Sequence, residues 1–144
     1  MSEKMPKTIK VFTDGCAKGN PGPAGIGYVF EDIAGNVLDE GCGYLGKATN
    51  NEAEYNALIQ AMERCIEKGL KSVFFFTDSQ LMAHQINGIY KIKNARIAQL
   101  AKRVQAIRRK FDKFQLTHVP REMNRRADKL ANKGVANMAE EAGA

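Results

Sequence analysis

Residues 72–80 read SVFFFTDSQ. Val73 to Phe76 is an unbroken apolar run, with no alternation, ending at Thr77-Asp78-Ser79. Such a run fits a strand covered on both faces, as in a parallel sheet. A helical pattern precedes it. That pattern starts after the good N-caps Thr49 and Asn50 and reaches about Lys68, with Gly69 as its stop. A shorter helix follows, over 79–87. A strand between helices makes this an α/β chain.

Working outward, residues 8–12, 24–31 and 37–45 read as three strands. The second and third are joined by turn chemistry at 32–36 (DIAGN), so the three form an antiparallel meander. Downstream, Ile97, Leu100, Ala101, Val104, Ile107 and Phe111 recur at helical spacing and predict a helix over 94–111. Residues 113–119 are a last strand, broken by Pro120, and 124–138 a last helix. The expected architecture is a five-stranded mixed sheet flanked by helices. It forms one domain over 7–138, with flexible tails at 1–6 and 139–144.

The chain has 144 residues, enough for one sizeable core, and a formal net charge of +6. A basic balance favours a polyanionic partner. Three widely spaced cysteines, no C-x-x-C and only two histidines argue against a disulfide framework or a zinc site. Free thiols fit a reducing, cytoplasmic setting. The N-terminal MSEKMPK has no apolar segment of the kind a cleaved signal needs, and no run approaches the roughly 20 apolar residues of a membrane helix.

The informative residues are acids where a core pattern calls for apolar side chains. Asp14 follows VFT and Asp78 follows FFT. Each shares a face with the Phe two residues earlier, at the carboxyl end of an apolar strand, where α/β sheets bind ligands. On the 50–68 helix, Glu54 falls with Leu58, Ala61 and Cys65 on the apolar stripe. Glu52 falls on the opposite side with Asn56 and Glu63 and reads as solvated. Asp128 borders the stripe Ala127, Ala131, Val135 and Met138 near the start of the last helix. Taken singly, Asp14, Asp78 and Asp128 could equally be turn, cap or helix-end charges. If the four converge, their carboxylates must take up protons or hold cations. Oxygen ligands point to a hard cation, Mg²⁺ or Mn²⁺. Two such ions about 3.5–4 Å apart can activate a water and stabilise a leaving oxygen.

The stretches FTDGCAKGNPGPAG (12–25), TNNEAEYNAL (49–58), FTDSQ (76–80) and NRRADKLAN (124–132) fall in this order on strand, helix, strand and helix. Together they resemble type 1 ribonuclease H over roughly 7–138, in a form without the basic protrusion of some members. The resemblance implies the ribonuclease H-like fold and metal-dependent hydrolysis of the RNA strand of RNA–DNA hybrids. The implied products carry 3′-hydroxyl and 5′-phosphate ends. It matches Asp14, Glu54, Asp78 and Asp128 to the catalytic, metal-holding acids, with two Mg²⁺ ions, or Mn²⁺ in their place. It matches Gly15, Cys16, Asn20, Asn50, Asn51 and Gln80 to positions along the hybrid's minor groove. Thr49 and Asn94 match a pocket for a DNA phosphate. The implied protein is a monomer.

Two departures stand out. Many members carry a His between the last strand and the last helix, whereas residues 120–124 here are PREMN. His118 precedes Pro120 and reads as structural. Residues 90–113 also pass straight into a regular helix, yet hold nine Lys and Arg against one Asp, an expected phosphate-facing patch. Two other functions stay open at this point: a non-catalytic hybrid- or duplex-binding module, and an enzyme that also cleaves double-stranded RNA.

Overall fold

The computed structural model describes residues 6–143, with side chains described over 6–137. Parts of the expected tails, 1–5 and 144, lie outside the described residues. The elements in chain order are β1 (Thr8–Ala17), β2 (Gly22–Glu31), β3 (Val37–Ala48), α1 (Asn50–Glu67), β4 (Ser72–Thr77), α2 (Gln80–Ile86), α3 (Ala95–Arg108), β5 (Lys113–His118) and α4 (Arg125–Gly143). A single 3₁₀ turn, Arg121–Met123, joins β5 to α4. The sheet order is β3-β2-β1-β4-β5. β1, β2 and β3 form the expected antiparallel meander, and β4 and β5 extend it in parallel.

β1 pairs with partners on both sides, and they leave it at different points. Its parallel pairing with β4 ends at Thr13↔Thr77, whereas its pairing with β2 continues to Ala17↔Ala24. The strand expected to stop at Phe12 therefore continues for five more residues. Glycines of β1 and β2 permit close packing against the helices. A Cβ on Gly27 would come within 2.6 Å of the Ala127 carbonyl oxygen in α4, closer than any side chain tolerates. The turn itself is short: Gly19 takes φ 93° and the Asn20–Pro21 bond is cis.

The two faces of the sheet are filled differently. Ile9, Val11, Val73, Phe75 and Leu116 pack with Tyr55, Leu58, Met62, Val104 and Ile107 in the main core. Phe75 is fully buried there and meets Phe111 edge-on, with ring centroids 5.9 Å apart. On the opposite face Val29 packs with Ala127 and Leu130 of α4. α4 lies over β2, β3 and β1. α1 lies on the other side of β1 and carries α3. The strand β1 is thus pressed between α1 and α4, and the acids come from these three elements and the end of β4.

Helix ends follow local chemistry. Thr49 and Glu52 form a capping box at the start of α1: Glu52 N–H donates to Thr49 Oγ1 at 3.1 Å, and Thr49 N–H to Glu52 Oε1 at 2.9 Å. Glu52 points away from the apolar stripe, as its helical angle predicts. It is nevertheless tied down, since Arg96 of α3 reaches its other oxygen at 3.6 Å. These bonds, with the Thr49 backbone N–H foremost, hold its carboxyl below the usual range.

Candidate active site

Asp14 and Asp78 follow the last paired residues of two parallel strands, Thr13 and Thr77. They therefore stand side by side at the carboxyl edge of the sheet. Asp14 remains within β1, opposite Gly27, and is 4% exposed. Asp78 occupies the junction of β4 and α2. There Ser79 N–H donates to Thr77 Oγ1 at 3.0 Å, and Met82 N–H donates to Ser79 Oγ at 3.1 Å.

Glu54 enters from the first turns of α1. Its Oε1 accepts the Gly15 backbone N–H at 3.0 Å. A Cβ on Gly15 would lie 2.2 Å from the Ala53 backbone. Glycine is what lets β1 and α1 approach closely enough for this bond. Carboxylate oxygens of Asp14, Glu54 and Asp78 all lie within 4.8 Å of one another.

Asp128 lines the same cavity from the first turn of α4 but stands outside that group of three. Two amides place it. Asn124, 1% exposed, donates from Nδ2 to the Thr13 carbonyl at 2.8 Å and so fixes the start of α4 beside Asp14. Asn132 donates from Nδ2 to the Asp128 carbonyl at 2.9 Å and to Asp128 Oδ1 at 3.3 Å. Lys18 Nζ donates to Asn132 Oδ1, which ties the first loop to α4.

The electrostatics follow from this crowding. Burial, then the negative charges of Glu54 and Asp78, push the Asp14 carboxyl far above its ordinary range. Burial, then Asp78, raise Glu54 as well, while the Gly15 N–H works against the rise. Among the described residues no Lys or Arg forms an ion pair with any of the four acids. Three carboxylates without a counter-charge either hold protons or hold cations. An all-oxygen donor set without imidazole or thiol fits a hard divalent cation.

A cavity of about 460 Å³ opens over the acids. It is lined by the four acids together with Gly15, Cys16, Asn20, Asn50, Asn51, Ser79, Leu81 and Arg121. The first loop and the start of α1 are stitched together there. Asn50 N–H donates to Asn20 Oδ1, and Ala17 N–H to Asn50 Oδ1, both at 2.9 Å. Asn51 donates from Nδ2 to Gln85 Oε1 at 3.3 Å, and its own Oδ1 is buried with no protein partner. Burial raises the Cys16 thiol.

The remaining expected contacts lie outside this cavity. Gln80 is exposed on the first turn of α2. Thr49 and Asn94 are the N-caps of α1 and α3, and the Glu52–Arg96 ion pair links these two helix starts. Residues to which the sequence reading gave no role in the site are Ser79, Leu81, Asn124 and Asn132. The T-x-x-E box at Thr49–Glu52, the Ser79 N-cap and the Asn132–Asp128 pair have local signatures. The Asn124 bond spans 111 residues, and no short motif encodes it.

Comparison with known proteins agrees with this fold. The family model described as Reverse transcriptase-like matches residues 12–134. The chain is 38% identical over 127 residues to ribonuclease HI of Halobacterium salinarum, covering 88% of this chain and 64% of that protein. It spans 38% of the length of mycobacterial relatives that it also matches. The crystal structure of RNase H1 from Halobacterium salinarum superimposes with a TM-score of 0.88 at 37% identity, over 90% of this chain and 98% of that one. LC11-RNase H1, solved in complex with an RNA/DNA hybrid, gives a TM-score of 0.87 at 40% identity, over 91% and 99%. Likeness in sequence and backbone course over this much of the molecule has one explanation: the chain belongs to the type 1 ribonuclease H family.

Proposed function

We propose that this protein hydrolyses the RNA strand of RNA–DNA hybrids, leaving 3′-hydroxyl and 5′-phosphate ends, and that it does so as a monomer. The observation that carries the reading is the group Asp14, Glu54 and Asp78, with oxygens within 4.8 Å, in a cavity also lined by the amides of Asn20, Asn50 and Asn51. A module that only binds duplexes gains nothing by concentrating negative charge where phosphate must lie. The likeness to a protein solved with an RNA/DNA hybrid supports the substrate class.

Asp14, Glu54, Asp78 and Asp128 would hold Mg²⁺, or Mn²⁺ in its place. A bound pair of such ions would activate water and stabilise the leaving oxygen of a phosphodiester. The chain supplies the rest. The Gly15 N–H fixes Glu54 in one orientation, and Asn124 fixes the helix that carries Asp128. Asn20 and Asn50 hold the two walls of the cavity together. The unpartnered Asn51 Oδ1 suits a hydroxyl donor, and a 2′-hydroxyl in the shallow minor groove is the donor that separates RNA from DNA.

Asn51→Ala is therefore expected to raise KM for the hybrid about tenfold, the value of one hydrogen bond to a buried acceptor, with a smaller change in kcat. Steady-state kinetics on one labelled hybrid checks this. The proposed substrate class is tested by offering hybrid, double-stranded RNA and double-stranded DNA to the same preparation. Cleavage of the hybrid's RNA strand is the expected result. Equal cleavage of double-stranded RNA would broaden the substrate, since both duplexes present a wide minor groove.

A further inference from the structure

The cations of this basic chain are distributed unevenly. On α3, Arg96 pairs with Glu52 and Arg103 with Glu63, while Arg108 lies over the Phe114 ring. Two of the nine cations expected to form a patch along 90–113 are thus paired with acids of α1. The exposed side of α4 carries a second, regularly spaced set. Arg125, Lys129 and Lys133 recur at intervals of four and are exposed. Among the described residues none of them has an acidic partner. Arg126 beside them is held by Glu40. The one acid of this stretch, Asp128, faces the catalytic cavity instead.

This arrangement costs the isolated fold. Like charges four residues apart destabilise a helix by about 0.2–0.5 kcal/mol per pair. Arginines in the first turn also oppose the helix dipole. A helix face kept for solubility would alternate signs. The ladder moreover starts next to the site. Arg121, in the 3₁₀ turn that leads into α4, lines the acidic cavity. Arg125 and Lys129 line a neighbouring cleft of about 400 Å³ with Glu40, Arg126 and Leu130.

We infer that this side of α4 is a phosphate track: Arg125, Lys129 and Lys133 hold duplex backbone that extends beyond the cleavage cavity. The inference rests on the proposed hybrid substrate. The three rungs span about 12 Å along the helix. That length covers roughly three or four phosphates of one strand at about 3.4 Å of axis each. The track gives affinity without sequence preference and leaves the chemistry untouched.

The test uses the full chain with R125Q, K129Q and K133Q combined. Binding is measured in an Asp14→Asn background, and turnover in the chain with its acids intact. Affinity for a long hybrid should fall, and the slope of log K against log salt should lose about 2–3, at roughly 0.7–0.9 for each phosphate contact removed. A hybrid just long enough to fill the cavity should bind unchanged, and kcat at saturation should stay at the wild-type value. A charge-preserving variant, R125K with K129R and K133R, should bind as wild type. An unchanged slope overturns the track, as does equal loss on short and long hybrids, or loss in the charge-preserving variant. Hybrid cleavage with an unchanged slope removes the track and keeps the proposed activity. A reduced slope on long duplexes in a chain that cleaves nothing removes the activity and keeps the track.

Discussion

Asp14→Asn is expected to lower turnover of an RNA–DNA hybrid about a thousandfold while leaving hybrid affinity within a few-fold. The substitution keeps the shape of the side chain and removes its charge. Asp14 is buried, 4% exposed, and it shares the three-carboxylate group with Glu54 and Asp78. Loss of a cation ligand there forfeits several kcal/mol of transition-state stabilisation, and each 1.36 kcal/mol is tenfold in rate. Affinity survives because the amides and backbone that line the cavity are untouched. Single-turnover kinetics and equilibrium binding on one labelled hybrid separate the two effects. Wild-type turnover in this variant would refute the assignment of Asp14.

How much of this site could be read in advance depends on the range of each interaction. Glu54 and Glu52 are two residues apart, and helical angle alone separated them: one faces the acids and the other caps its own helix. The parallel pairing of Phe12 with Phe76 and of Thr13 with Thr77 is foreshadowed by the repeated Phe-Thr-Asp. The extent of β1 was not legible. Gly15 falls where the composition suggests a loop, and only the helix pressed against it shows why it is glycine. The role of Asn124 was likewise hidden, because its partner, the Thr13 carbonyl, lies 111 residues away. The ends of helices also moved. α3 stops at Arg108, short of the expected Phe111, and α4 runs to Gly143, beyond the expected Met138.

The second large effect concerns the fold without metal. Glu54 is raised from 4.5 to about 8, first by burial and then by Asp78. Asp14 moves in the same direction. An acid with a higher pKa in the folded chain binds its proton more tightly there than when unfolded. Its support for the fold is complete below the unfolded value near 4.5 and is lost as pH rises toward about 8. Metal-free protein should therefore lose a few kcal/mol of stability over this window, since each tenfold gain in proton affinity is worth about 1.36 kcal/mol. Mg²⁺ or Mn²⁺ should restore it, by about 2.7 kcal/mol at a hundredfold excess over Kd. The gain should be larger near the top of the window, where fewer protons compete. The double variant Asp14→Asn, Glu54→Gln should flatten the pH dependence and abolish the metal response. Thermal melts across the window, with and without metal, read all of this. A flat profile, or equal metal stabilisation in the double variant, would show that these acids keep ordinary affinities for protons and cations.

The central claim is that a carboxylate cluster at the edge of this sheet serves the hydrolysis of a hybrid's RNA strand. Its most direct test is a Mg²⁺ and Mn²⁺ titration of purified protein against an RNA–DNA hybrid labelled separately on each strand. The account predicts metal-dependent cleavage of the RNA strand alone, ending on chelation. A hybrid left intact across both titrations, or one cut equally well in chelator, would contradict it.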